Sequence, residues 1–84
     1  MAQAKSVVVY TVAWCPHCVA ILSFLDTEGI IYQNYDVDYN EVRWHEALAL
    51  TGGQDLVPVI NIEGNVKFGA FKSSFADWIR QQMK

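Results

Sequence analysis

The only two cysteines of this 84-residue sequence stand three positions apart, in Val12-Ala13-Trp14-Cys15-Pro16-His17-Cys18. Two thiols at that spacing can exchange with a disulfide in two steps. One sulfur attacks to give a mixed disulfide, and the second attacks the first to release the reduced product. The chemistry needs an accessible sulfur that ionises readily and a partner within bonding reach. Pro16 suits the first position of a helix, where its missing N–H would have had no helical partner. Cys15 is therefore expected at the N-cap, its sulfur accepting from free backbone amides and favoured as an anion by the helix dipole. That predicts a Cys15 pKa below that of a free thiol, within the range of about 3.5 to 7.5 seen at helix starts. Cys18 lies one turn on and shares a helix face with Cys15. Being inside the helix on its apolar side, Cys18 is expected to be less exposed and less acidic.

Other uses of the pair fit less well. A zinc site needs four ligands when closed or three when open. Beyond the cysteines the chain offers only His17, inside the motif, and His45, expected on a different helix. Two structural cysteines are the other alternative, but a cap position beside proline is a poor place to hide a thiol. His45, between Trp44 and Glu46, reads as ordinary surface.

The elements that must position the thiols follow from periodicity. Ser6 to Thr11 is β-branched and apolar on consecutive positions, as a strand buried on both faces reads. Pro16 to Glu28 switches to helical spacing, with Cys18, Ile21, Leu22 and Leu25 on one stripe and Gly29 at C′. Ile30 to Val37 reads as a second strand. Asn40 caps a helix through Leu50, with Trp44, Ala47 and Leu48 inward, and Thr51-Gly52-Gly53 ends it. Pro58 to Ile62 and Val66 to Phe68 read as strands around a Glu63-Gly64-Asn65 turn. Ser74 begins a last helix with Asp77 at N3, a weak capping box, and Phe75, Trp78 and Ile79 form its stripe. The order is β-α-β-α-β-β-α, an α/β arrangement with a parallel pair from the βαβ unit, an antiparallel hairpin, and helices covering one mixed sheet.

Length and composition bound the class. Residues 1–84 are enough for one domain, and a hydrophobic content of 52% supports one modest core. The formal net charge is −3 with the nine acidic residues scattered, which argues against nucleic-acid and anionic-membrane partners. No apolar run approaches the roughly 18 residues that span a bilayer. Met1-Ala2-Gln3-Ala4-Lys5 lacks the layout of a signal peptide, and a single cysteine pair is a thin framework for a secreted miniprotein. A cytoplasmic location is expected.

The chain resembles the glutaredoxin family over nearly its whole length. The resemblance is carried by strand, Cys-Pro-x-Cys, helix, strand, helix, then Val57-Pro58 before a strand, a hairpin, and a glycine ahead of the last helix. The run from Thr51 to Pro58 is similar to the small bacterial glutaredoxin-like redoxins, the mycoredoxins and those serving ribonucleotide reductase. The resemblance implies a thioredoxin-like fold with a four-stranded mixed sheet. It also implies a cis Val57-Pro58 bond facing the thiols, where Val57 would pair with an extended substrate as a strand does.

Several residues depart from the family pattern. Glutaredoxins commonly carry a lysine after the first strand that pairs with a glutathione carboxylate; Val12 stands there. His17 replaces a frequent tyrosine. The Gly-Gly before the last helix corresponds to Gly69-Ala70, and the acidic residues that usually follow are Lys72 and Ser73. These changes weaken glutathione binding and leave the dithiol chemistry intact. Trp14 is either a flat surface for partner proteins or a half-buried seal on the sheet edge. A partly protonated His17 beside the thiolate would stabilise the reduced form.

The expected function is a monomeric dithiol oxidoreductase acting on protein disulfides or glutathione mixed disulfides. Cys15 attacks and Cys18 resolves; Trp14, Pro16, His17, Val57, Pro58, Gly69 and Ala70 line the substrate or glutathione site. No bound cofactor and no metal are expected. Electrons come from glutathione or from a thioredoxin-reductase-type flavoenzyme. The alternative is a glutaredoxin that carries a [2Fe–2S] cluster between two protomers through the N-terminal cysteine and glutathione, which proline beside that cysteine disfavours.

Overall fold

The computed structural model describes residues 5–84. The reading of Met1-Ala2-Gln3-Ala4 as lacking a leader falls outside the described residues. Seven elements follow in the order β1 Val7–Thr11, α1 Pro16–Thr27, β2 Gln33–Asp36, α2 Glu41–Leu50, β3 Val59–Ile62, β4 Asn65–Phe68 and α3 Ser73–Gln82. The strands form one sheet ordered β2-β1-β3-β4, with β1 parallel to β2 and antiparallel to β3, and β3 antiparallel to β4. The mixed sheet and the element order expected from periodicity are both present.

β1 is central, which is why its apolar residues run consecutively. Val7 and Val9 pack with Ile21 and Leu25 of α1, Ile60 and Ile62 of β3, and Phe75 and Ile79 of α3. Val8 and Tyr10 meet the other face, where Ala47 and Trp44 of α2 and Val59 gather, and Cys18 in the first turn of α1 joins the same cluster. α1 and α3 thus cover one side of the sheet and α2 the other. Among the described residues no helix is long and apolar enough to cross a membrane.

The helix ends are set by local chemistry. Gly29, at φ 69°, closes α1: its N–H donates to Asp26 and that of Ile30 to Leu25, while Ile30 packs onto the core. This is the Schellman arrangement, which a glycine at C′ favours. Asn40 caps α2, its side chain accepting from the N–H of Arg43 at 3.2 Å. Glu63 and Gly64, both at positive φ, form a two-residue hairpin loop between Ile62 and its partner Asn65.

Several expected boundaries need correction. β1 begins at Val7, and Glu28 is the cap of α1 rather than part of it. β2 begins at Gln33 rather than Ile30, because Ile30 is used to close α1 and only Gln33–Asp36 find partners on β1. Pro58 precedes β3, and Asn65 belongs to β4 rather than to the turn. Ser74 is not the cap of α3. The cap is Lys72, without a side-chain hydrogen bond, and Asp77 accepts from Arg80 instead of closing a capping box. Phe75, Ala76 and Ile79 are buried on one stripe, which packing can hold without a side-chain cap.

Candidate active site

Cys15 is the N-cap of α1, with extended backbone (φ −93°, ψ 121°) and Pro16 at the first helical position. That much of the expectation holds. The expected hydrogen bonds to its sulfur do not form: no helix amide donates to the Cys15 side chain. The Cys18 N–H turns back to the Cys15 carbonyl at 3.1 Å, and a sulfur competes weakly for such donors. What remains in its favour is the helix start itself, where the dipole attracts negative charge.

The two thiols are unequal. Both are free, Cys15 half-exposed and Cys18 only 1% exposed. Burial pushes the Cys18 thiol from an ordinary 9.0 up to about 12, with further upward pressure from its hydrogen bond to Cys15 and from the charges of Cys15 and Asp36. One group works the other way: the Val12 N–H, at the end of β1, points at the Cys18 sulfur at 3.5 Å and lowers the cost of ionising it. Sequence reasoning missed this donor, because it reaches across six residues from a strand end to a helix.

The raised Cys18 value makes stability depend on pH in a stated direction. In the unfolded chain the thiol ionises above its ordinary 9.0, whereas in the fold it keeps its proton to about 12. The unfolded state then binds fewer protons, so the stability of the reduced protein is lost as pH climbs through that window and is fully present below it. Urea titrations at a series of alkaline pH values check this. Cys18→Ala should decline less steeply than wild type between pH 9.0 and about 12, and an unchanged slope would contradict the burial of this thiol.

The other expected residues converge here from distant segments. The Val57–Pro58 bond is cis, and Val57 packs in the same cluster as Cys15, Cys18, Val12 and Trp44. The Pro58 carbonyl accepts from the N–H of Gly69 at 3.1 Å, bringing the Gly69-Ala70 turn beside the cis bond; Ala70 is exposed. Gly69 sits at φ 106°, where a side chain would be strained.

His17 makes a contact that its place in the motif did not suggest. Its Nδ1 accepts from the backbone N–H of Phe71 at 3.2 Å. The contact ties the first turn of α1 to the segment after Gly69. Trp14 is 72% exposed, which excludes the half-buried seal, and its Nε1–H donates to Asp38 at 2.5 Å. Val12 is buried, so nothing cationic stands where glutaredoxins commonly place a lysine. Lys72 is exposed at the cap of α3, and His45 is exposed on α2.

A cavity opens next to this cluster, lined by Val12, Trp14, Val37, Asp38, Trp44, Asp55 and Val57. Asp38, Trp44 and Asp55 were not among the expected site residues, since nothing local in the sequence relates them. Thr51 shapes the segment that carries Asp55. Its buried hydroxyl accepts from the N–H of Gln54 at 3.1 Å and lies 2.8 Å from the Gln54 carbonyl.

Comparisons with known proteins agree with this geometry. The family model described as Glutaredoxin matches residues 7–67, which covers the thiol pair, the cis Val57–Pro58 and three of the four strands in full. Glutaredoxin 1 of Rickettsia felis is 27% identical over 71 residues, 83% of this chain and 69% of that protein. The Rickettsia typhi counterpart is 29% identical over 59 residues, 69% of this chain and 57% of its own length. The chain therefore spans between 57% and 69% of these curated relatives. The crystal structure of a glutaredoxin from Archaeoglobus fulgidus superposes with a TM-score of 0.73 at 26% identity, covering 92% of this chain and 88% of that one. The arrangement of sheet and helices is the thioredoxin-like fold.

Proposed function

The chain belongs to the glutaredoxin family of thiol–disulfide oxidoreductases, and on that premise we propose that it reduces disulfides of polypeptides through Cys15 and Cys18, as one domain, in a reducing compartment such as the cytoplasm. The observation that carries this reading is the inequality of the two thiols: one half-exposed at a helix start, its neighbour buried and held protonated.

The reaction runs in two balanced steps. The Cys15 thiolate attacks one sulfur of the substrate disulfide, a Cys15–substrate S–S bond forms, and the first substrate thiolate departs and takes a proton. Cys18 then gives up its proton and attacks the Cys15 sulfur. The intramolecular disulfide closes, the second substrate thiolate leaves protonated, and two electrons have passed from protein to substrate. The Val12 N–H supports the brief negative charge on Cys18. No bound cofactor is needed for either step.

We assign the returning electrons to a thioredoxin-reductase-type flavoenzyme rather than to glutathione. Glutathione is anionic, Val12 offers its carboxylates no cation, and the cavity beside the thiols carries Asp38 and Asp55. The oxidised protein is given NADPH with either thioredoxin reductase, or glutathione and glutathione reductase. Turnover with the former is expected to be at least about tenfold faster, the factor that corresponds to a modest unfavourable charge pairing. Equal or faster turnover through glutathione overturns the donor assignment, and no turnover with either overturns the reductase reading.

A further inference from the structure

The cavity beside Cys15 has a volume of about 250 Å³ and belongs to the same packed unit as the thiols. Val12, Val37 and Val57 form its apolar floor and are members of the cluster that also holds Cys15 and Cys18. Trp14 and Trp44 add two indoles. Among the described residues, Asp38 and Asp55 supply the charged side chains of the lining, both negative and both exposed. The basic residue nearest in sequence, Arg43, is committed elsewhere. Its guanidinium bonds both Glu46 oxygens at 2.9 and 2.8 Å and lies 4.1 Å from the centre of the Tyr35 ring.

Apolar floor, aromatic walls and a negative rim together match one kind of guest. A lysine or arginine side chain buries its methylene stem against apolar surface while its charged head remains at the rim. Tryptophan is the best aromatic partner for a cation. The Trp14 N–H also holds Asp38 in place at 2.5 Å, so one carboxylate is oriented before any guest arrives. Trp14 in the lining is the chain neighbour of Cys15, and Val12, Trp44 and Val57 of the lining pack in the cluster that holds the Cys15 side chain.

We propose that this cavity receives a basic side chain flanking the substrate cysteine, so that Cys15 selects disulfides set in cationic polypeptide segments; the inference rests on the dithiol reading above and names its substrate class. Asp38 and Asp55 are then specificity-determining residues. Each partly exposed charge pair contributes a factor of about two to five. A lysine-flanked disulfide is therefore expected to react about tenfold faster than a glutamate-flanked one.

The test uses the reduced full chain with three symmetric peptide disulfides whose single cysteine is flanked by lysine, serine or glutamate. Neighbouring charge also alters the leaving thiol, so each rate is divided by the rate of dithiothreitol on the same peptide. The expected order is lysine, serine, glutamate, with the lysine-to-glutamate ratio near tenfold at low salt and shrinking toward one at about 1 M salt, where the Debye length is about 3 Å. In Asp55→Asn the ratio should fall about threefold. A wild-type ratio equal to that of dithiothreitol, or an Asp55→Asn ratio unchanged from wild type, overturns the proposal. Failure to reduce even the serine peptide would instead overturn the dithiol reading itself.

Discussion

Cys15→Ser will reduce a peptide disulfide at least about a thousandfold more slowly than wild type, the scale of loss when an attacking group is removed from a nucleophilic catalyst. Serine preserves the cap and the start of α1, since a hydroxyl is a better N-cap than a thiol. The loss would therefore report chemistry rather than folding. Cys18 cannot substitute. It is 1% exposed, and its thiol stays protonated to about 12, so a bulky disulfide meets neither an accessible sulfur nor a thiolate. Cys18→Ser should behave oppositely, completing the first step and stalling with one substrate thiol bound. Mass spectrometry of the quenched reaction should find that adduct on Cys15 alone. Retention of more than about a tenth of the wild-type rate in Cys15→Ser, or an adduct on Cys18 in wild type, would reverse the assignment of roles.

Phe75→Ala should destabilise the protein by about 3–5 kcal/mol, the usual result of emptying a fully buried phenylalanine site. A domain of this size has only about 5–15 kcal/mol to lose. The side chain is 1% exposed and packs among Val9, Ile21, Leu25, Ile60 and Ile79, so both α1 and the sheet line the space it would leave. It also supports Phe71, at 5.4 Å between ring centres, and Phe71 in turn meets Phe24 of α1 at 5.5 Å. Loss of the ring therefore loosens the residue whose N–H bonds His17 as well as the core. Urea unfolding followed by circular dichroism measures the change, with the midpoint falling at a constant slope. A loss below about 1.5 kcal/mol would mean that the neighbours close over the space, contrary to the packing described.

How much could be read from the chain depends on how far apart the interacting residues lie. The Cys15 cap, Pro16 at the first helical position, Gly29 after α1, the Asn40 cap and the Glu63-Gly64 turn each involve residues within a few positions of one another. Backbone preference and the 3.6-residue period are local quantities, so those features are legible. The misread boundaries lie where a local preference competed with packing. Ser74 is a good cap residue in isolation, but the cap is Lys72 and α3 begins at Ser73. Ile30 has strand character, yet it closes α1 instead.

The candidate site divides in the same way. Its thiols were visible from spacing alone, and the cis Val57–Pro58 through resemblance. The Val12 amide on the Cys18 sulfur, the 54-residue span between His17 and Phe71, and the cavity formed by Asp38, Trp44 and Asp55 were not.

By itself, then, the sequence determined the candidate reacting atoms: two sulfurs one helical turn apart, at the junction of a buried strand and a proline-started helix. The direction of their inequality was legible as well; only the tertiary structure decided its extent and what surrounds the two sulfurs. Burial depth and the approach of groups from other segments depend on how β1, α1, α2 and the Asp55–Pro58 segment pack together. Dielectric and charge act through space between atoms that the chain order does not bring together.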